Sequence, residues 1–300
     1  MRLVFKLLGA LFLVSALGAA ALVVWPIGAP PPSIPLDGDA QRGAYLARAA
    51  GCISCHTNSE DGGAPLAGGT RFETPFGAIY APNLTTHPED GIGGWTPEEF
   101  ARAVRQGISP EGEPYYPAFV YPFYGKFTDA QIANLWAAFQ TVPPVAEPSR
   151  APDMPFPFDQ RWLLKAWRGL FLEPPRTDPV EGQSDSWNRG RALVEGAAHC
   201  GACHTTRNLF GARDVATGKF AGSDMLPGGG KAPAIDAESL REAGWSEASL
   251  AYSLRSGLTP DGDSFGSLMG EVVQNGTRYL SDADLAAMAE YLLNPVPAAP

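Results

Sequence analysis

Cys52-Ile53-Ser54-Cys55-His56 recurs with the same spacing as Cys200-Gly201-Ala202-Cys203-His204. These two pairs hold all four cysteines of the 300-residue chain. A disulfide-stapled domain would carry more cysteines, scattered more widely. Outward from the motifs, the copy continues. Gly43-Ala44-Tyr45-Leu46 before the first motif is matched by Gly190-Arg191-Ala192-Leu193 before the second. Downstream, Ala81-Pro82 is matched by Ala232-Pro233, Gly94-Trp95-Thr96 by Gly244-Trp245-Ser246, and Arg105-Gln106-Gly107 by Arg255-Ser256-Gly257. Ser109-Pro110-Glu111-Gly112 returns as Thr259-Pro260-Asp261-Gly262, and Thr128-Asp129 as Ser281-Asp282. An offset that stays near 150 residues predicts two tandem copies of one small domain, over residues 37–145 and 184–296.

Each copy reads as helical. Segments 39–50 and 186–198 lead into the cysteine motifs. Thr96 and Ser246, each followed by acidic residues, are N-cap chemistry for helices over 96–106 and 246–256. Thr128 with Gln131, and Ser281 with Asp284, open the last helix of each copy. Leu135, Trp136 and Phe139 give the first of these an apolar face, as Leu285, Met288, Ala289 and Leu292 do for the second. No strand-like alternation competes, so the expected fold is all-α. Residues 146–183 form a Pro-rich linker with an amphipathic helix over 158–172. Trp162, Leu163, Ala166, Trp167 and Leu170 lie on one side of it, and Arg161, Lys165 and Arg168 on another. That pattern fits a bracket between the domains, or a docking surface for a partner or the lipid interface.

Residues 1–36 are an N-terminal signal or membrane anchor and a tether. Arg2 and Lys6 precede an uncharged apolar stretch over 7–25, long enough for one bilayer span, and Pro30-Pro31-Pro32 follows. Ala19-Ala20-Ala21 is a formal cleavage site, but the apolar run continues beyond it to Trp25, which favours an uncleaved anchor. The positive N-terminus stays inside, so the remainder is expected in the periplasm of a bacterium, on the inner membrane. The net charge of −10 lacks the basic face that phosphate binding needs, which argues against nucleic acid. It suits a redox partner with a basic patch.

Cys-x-x-Cys-His is the haem-attachment signature. The thiols add to the two vinyl groups, and the adjacent His56 or His204 is carried under the iron as proximal ligand. A redox dithiol does not require the following His, and His87 and His199 do not complete a zinc site in both copies. Two covalently bound haem c groups are therefore expected, on Cys52 and Cys55 and on Cys200 and Cys203. Methionine sulfur on the distal side raises the potential. Met269 stands in a loop before the last helix and is the candidate in the second half; Met288 belongs to the core and Met225 comes early in its loop. The first half has no Met between Met1 and Met154, and the repeat offset places Phe119 where Met269 stands. The distal position there falls to His87, Lys126 or Met154, or stays open.

The residues resemble the membrane-anchored multihaem cytochromes related to cytochrome c subunits of bacterial alcohol, aldehyde and gluconate dehydrogenases. The resemblance rests on Cys52 to His56, Ala81-Pro82-Asn83-Leu84-Thr85, Gly91-Ile92-Gly93-Gly94-Trp95, Tyr115-Tyr116-Pro117-Ala118-Phe119, and the run from Gly257 through Met269 to residues 280–284. It implies transfer of electrons from a periplasmic dehydrogenase towards a quinone-linked complex or a terminal oxidase. Such subunits generally carry three haems, against two motifs here, and commonly have a Met in or near the segment where Phe119, Val120 and Phe127 stand. The reading is a dihaem electron carrier with no catalytic residues of its own. The alternative is a haem enzyme, a peroxidase or an oxidoreductase of small sulfur or nitrogen compounds, working at an open site on the first haem.

Overall fold

The computed structural model describes residues 2–30, 33–226 and 229–296, so Pro31 and Pro32 of the tether lie outside it. Helix α1 (Arg2–Val24) is apolar on every side and covered on none, with a mean hydropathy of 2.5 over its core window. Such a helix has no buried face to pack against the body and fits a lipid surround.

The first half begins with α2 (Ala40–Ala49), capped by the Asp39 carboxylate on the amides of Gln41 and Arg42. It runs into the one-turn helix α3 (Cys52–Cys55). A two-stranded antiparallel hairpin follows, β1 (Arg71–Thr74) with β2 (Gly77–Tyr80), Arg71 opposite Tyr80. The fold is mostly helical, as expected; only this hairpin was not anticipated, because four-residue strands carry too short an alternation to register. Its outer edge is closed by the linker, where Ala78 and Asp153 exchange backbone bonds at 2.9 and 2.8 Å. Helices α4 (Pro97–Gln106) and α6 (Asp129–Phe139) start on capping boxes, Thr96 with Glu99 and Thr128 with Gln131. Between them lies the single turn α5 (Tyr121–Tyr124).

The linker carries α7 (Leu163–Phe171). This is shorter than the expected 158–172, and its sides are not disposed as the pattern suggests. Arg168, from the polar side, is buried with its guanidinium 5.0 Å from the Tyr121 ring. Leu170, from the apolar side, is exposed.

The second half repeats the first. Helix α8 (Asp185–Ala192), started by Ser184, continues as a π-helical turn (Leu193–Ala197) and a 3-10 turn (Cys200–Ala202). Then come α9 (Ala237–Glu242), α10 (Glu247–Ser256, boxed by Ser246 and Ser249), α11 (Ser267–Asn275) and α12 (Asp282–Leu293). Ser281 caps α12, but the Asp284 carboxylate does not close a box. It takes two bonds from Arg189 at 2.8 Å and one from Tyr45 of the first half at 2.6 Å.

In each half the first and last helices touch backbone to backbone at a glycine. A Cβ on Gly43 would lie 1.8 Å from the Asn134 carbonyl oxygen, and one on Gly190 1.9 Å from that of Ala287. The two halves then share one core, in which Leu46, Phe100, Ile132 and Leu135 join Trp187, Val194, Leu285 and Met288.

A charged cluster also ties the halves together. Glu195 meets Lys126 at 3.1 Å and Arg191 at 3.8 Å, and accepts from Lys219 and Tyr291. Burial alone would raise its carboxyl, but Lys219, then Lys126, and bonds from Lys219 and Tyr291 hold it at about 2. A depressed carboxyl stabilises the fold above the unfolded value of 4.5 and loses that contribution as pH falls towards 2. Glu195→Leu is expected to cost about 3 kcal/mol, since it strands three cations. Denaturant unfolding of wild type and variant should converge near pH 2; an equal gap at pH 7 and pH 2 would refute the assignment.

Candidate functional site

Gly51 ends α2 at φ +66, a left-handed turn that aims the chain into α3. One helical turn then places Cys52 and Cys55 on the same side, and the His56 amide donates to the Cys52 carbonyl at 2.9 Å. In the second half His199 takes the same left-handed region at φ +39, which is strained for a residue with a Cβ. A bond between its Nδ1 and the Ala197 carbonyl at 2.8 Å holds it there, with the rings of Phe123 and Tyr124 at 6.0 and 5.8 Å. Cys200 and Cys203 follow, and the His204 amide donates to the Cys200 carbonyl at 3.0 Å.

Both motif histidines are oriented alike. His56 Nδ1 lies 2.7 Å from the Pro82 carbonyl oxygen, and His204 Nδ1 2.8 Å from that of Pro233. A carbonyl only accepts, so Nδ1 carries the proton and Nε2 keeps the lone pair. Burial lowers His56 to about 4 and also lowers His204, so both imidazoles are neutral at neutral pH. Burial is likewise the main reason that Cys52 and Cys200 are pushed up to about 12. Neither pair is disulfide-bonded. A redox dithiol works through a thiolate of depressed pKa, and these thiols are shifted the opposite way. Among the described residues no three of His, Cys, Asp and Glu converge as a metal cluster would need. Two thiols one turn apart beside a neutral imidazole with a free Nε2 fit covalent haem.

Met269 is half-buried on α11 and packs on the core shared by the two halves, on which Cys52 and Cys200 also lie. The loop expected for it is a helix of nine residues entered from extended Gly266. The first half has the same approach in strict register. The Tyr115 amide donates to the Gly107 carbonyl at 2.8 Å, and Phe265 to Gly257 at 2.7 Å, each pair offset by 150 residues. Phe119 is therefore the counterpart of Met269. Its ring sits among those of Tyr115, Tyr121 and Tyr124, with centroids 5.9 to 6.2 Å away. His87 is held in its own loop, accepting from the Asp90 amide at 3.0 Å with the Asp90 carboxylate 3.3 Å away. Lys126 is committed to Glu195, and Met154 packs on Gly77 of the hairpin. Met288 is fully buried on α12, as expected for a core residue.

The two motifs meet. A Cβ on Gly51 would lie 3.5 Å from the His199 ring, so the residues preceding Cys52 and Cys200 touch. Burial, then Cys203 and Glu271, raises Cys55 to about 11, which places the second motif and α11 beside the first. The contacts are reciprocal: α11 packs on α3, and α5 packs on the π-turn before Cys200. Sequence reasoning found the cysteines and histidines but not the Pro82 and Pro233 carbonyls. The signal was there, a proline matched between copies 26 and 29 residues after each histidine.

Comparison with known proteins agrees with this geometry. The family model described as Cytochrome c matches residues 40–139. A "Diheme cytochrome c-type" protein of Cereibacter sphaeroides is 41% identical over 293 residues, covering 96% of this chain and 97% of that one. The cytochrome c subunit of an alcohol dehydrogenase (quinone) from Gluconacetobacter polyoxogenes is 40% identical over 267 residues, 86% of this chain and 56% of the subunit. The gluconate 2-dehydrogenase cytochrome c subunit of Pantoea cypripedii is 39% identical over 268 residues, 85% and 59%. The chain thus spans little more than half of the dehydrogenase subunits it matches. With the paired thiols, the locked imidazoles and a dihaem relative aligned along nearly all of its length in agreement, this chain belongs to the cytochrome c family and carries covalently bound haem c.

Proposed function

We propose that the chain is a two-haem relay at a bacterial inner membrane, with its haem domains, residues 37–145 and 184–296, on the periplasmic side. Cys52 and Cys55 would hold the first haem and Cys200 and Cys203 the second, with His56 and His204, and Met269 in the second half, as the residues that would ligate the iron. The donor is a dehydrogenase, and the acceptor a quinone-linked complex or a terminal oxidase. The observation that carries this reading is the doubled bond from His Nδ1 to a proline carbonyl, made at matched positions in both halves. The dihaem relative supports two groups, and the dehydrogenase subunits support the donor.

Bound at these residues, haem supplies a one-electron iron couple. The chain's own part is to fix and insulate. The Pro82 and Pro233 carbonyls set the imidazole planes and raise the basicity of Nε2. The packed Phe119, Tyr121 and Tyr124 rings would give a haem held at Cys52, Cys55 and His56 an apolar wall. The His199 ring, lodged against Gly51, fills part of the space between the two attachment turns. The second site, with a thioether, should have the higher potential. A redox titration of the holoprotein is expected to resolve two potentials. Met269→Ala should lower the upper one by more than about 100 mV and leave the other in place. A single shared potential, or an unmoved upper one, would overturn the ligand assignment.

A further inference from the structure

Helix α1 does not hang freely from the body. The Lys165 ammonium on α7 donates to the carbonyls of Val23 and Trp25 at 2.7 and 2.9 Å, satisfying acceptors left open at the helix end. Beyond it, Gln106 pairs with both the amide and the carbonyl of Ala29, at 2.9 and 3.0 Å. Arg102 reaches the Ile27 carbonyl at 3.4 Å. The exit of the anchor is therefore fixed relative to the haem-bearing body.

At that exit lies a continuous apolar face. Trp167 of α7 donates to the Phe210 carbonyl at 3.0 Å, and Phe171 stacks on Phe210 at 5.8 Å. A Cβ on Gly211 would come within 2.9 Å of Phe76, whose ring meets Phe158 edge-on at 5.0 Å. Along this strip Leu209 is 91% exposed, Phe156 81%, Leu170 75%, and Phe210 and Trp25 67% each. Clustered exposure on this scale marks an interaction surface. Its continuity with the apolar helix says what covers it. We propose that the face formed by α7, Phe156, Phe158 and the 209–210 turn lies in the headgroup region of the bilayer that α1 enters, seating the body in one orientation. The proposal rests on the reading of α1 as an anchor. Without Arg2 and Lys6 the remainder carries −12, and the seat is made by apolar insertion.

The test uses full-length holoprotein in phosphatidylcholine vesicles. With the native cysteines taken up by haem, a nitroxide attached after Leu209→Cys is unique, and Tyr252→Cys on α10 is the exposed control. Relaxation by oxygen, which concentrates in lipid, is compared with relaxation by a water-soluble nickel chelate. The oxygen-to-nickel ratio should be several-fold higher at 209 than at 252. Equal ratios with the protein resistant to alkaline extraction would overturn the seated face alone. Release by alkali would overturn the anchor and the face with it. Shielding of position 209 from both reagents would mean that a protein covers it, and would overturn the lipid assignment.

Discussion

Gly190→Ala is expected to be among the most destabilising single substitutions in the chain. The added methyl would sit 1.9 Å from the Ala287 carbonyl oxygen, and that oxygen belongs to a helix backbone with no rotamer to swing aside. Helices α8 and α12 would have to separate, and Trp187, Leu285 and Tyr291, packed around them, would lose their fit. Overpacking of this kind costs about 3 kcal/mol. For a domain of this size that lowers the melting temperature by more than about 10 °C. Gly43→Ala, facing the Asn134 carbonyl at 1.8 Å, should do the same to α2 and α6. Gly169→Ala in α7, where a Cβ meets nothing within 4 Å, is the control and should be neutral or slightly stabilising. Melting of the three holoproteins decides it; equal midpoints would show that the contacts between terminal helices are not close-packed.

Cys200→Ser combined with Cys203→Ser should reduce the haem content from two per chain to one, read from the intact mass and from absorption after denaturation. Serine cannot form the thioether, and His204 alone does not retain the group through denaturation. Both groups surviving would place covalent attachment elsewhere and remove the basis of the functional reading. The loss should also reach the first half. Helix α11 packs on α3, so loosening the second site removes a wall from the first. The remaining potential is therefore expected to shift, where two independent domains would show none.

How much of this was legible beforehand depended on range. Features written within a few residues were plain: the two motifs, the Thr96 and Ser246 caps, the Thr128 box, and the buried stripe holding Met288. Features assembled from distant segments were not. The hairpin needs Asp153 of the linker to close its edge. The Pro82 and Pro233 carbonyls act on residues far upstream. Burial of Arg168 was hidden because the helical pattern sorted it by charge, while the Tyr121 ring supplied a face for the cation. The meeting of Gly51 with His199 spans the two halves, and the sequence carried only its trace, a pair of matched positions just ahead of each motif.

The Gln106 side chain, paired like a strand with the backbone of Ala29, bears on how such a protein finds its partners. A domain on a slack leash sweeps a hemisphere and can ferry charge between complexes that stand apart. With the leash stitched down, reach is limited to the width of the body itself. On the proposed membrane reading, encounters would then depend on lateral drift in the plane of the bilayer, and a redox partner would have to come within touching distance of a body that does not turn to meet it.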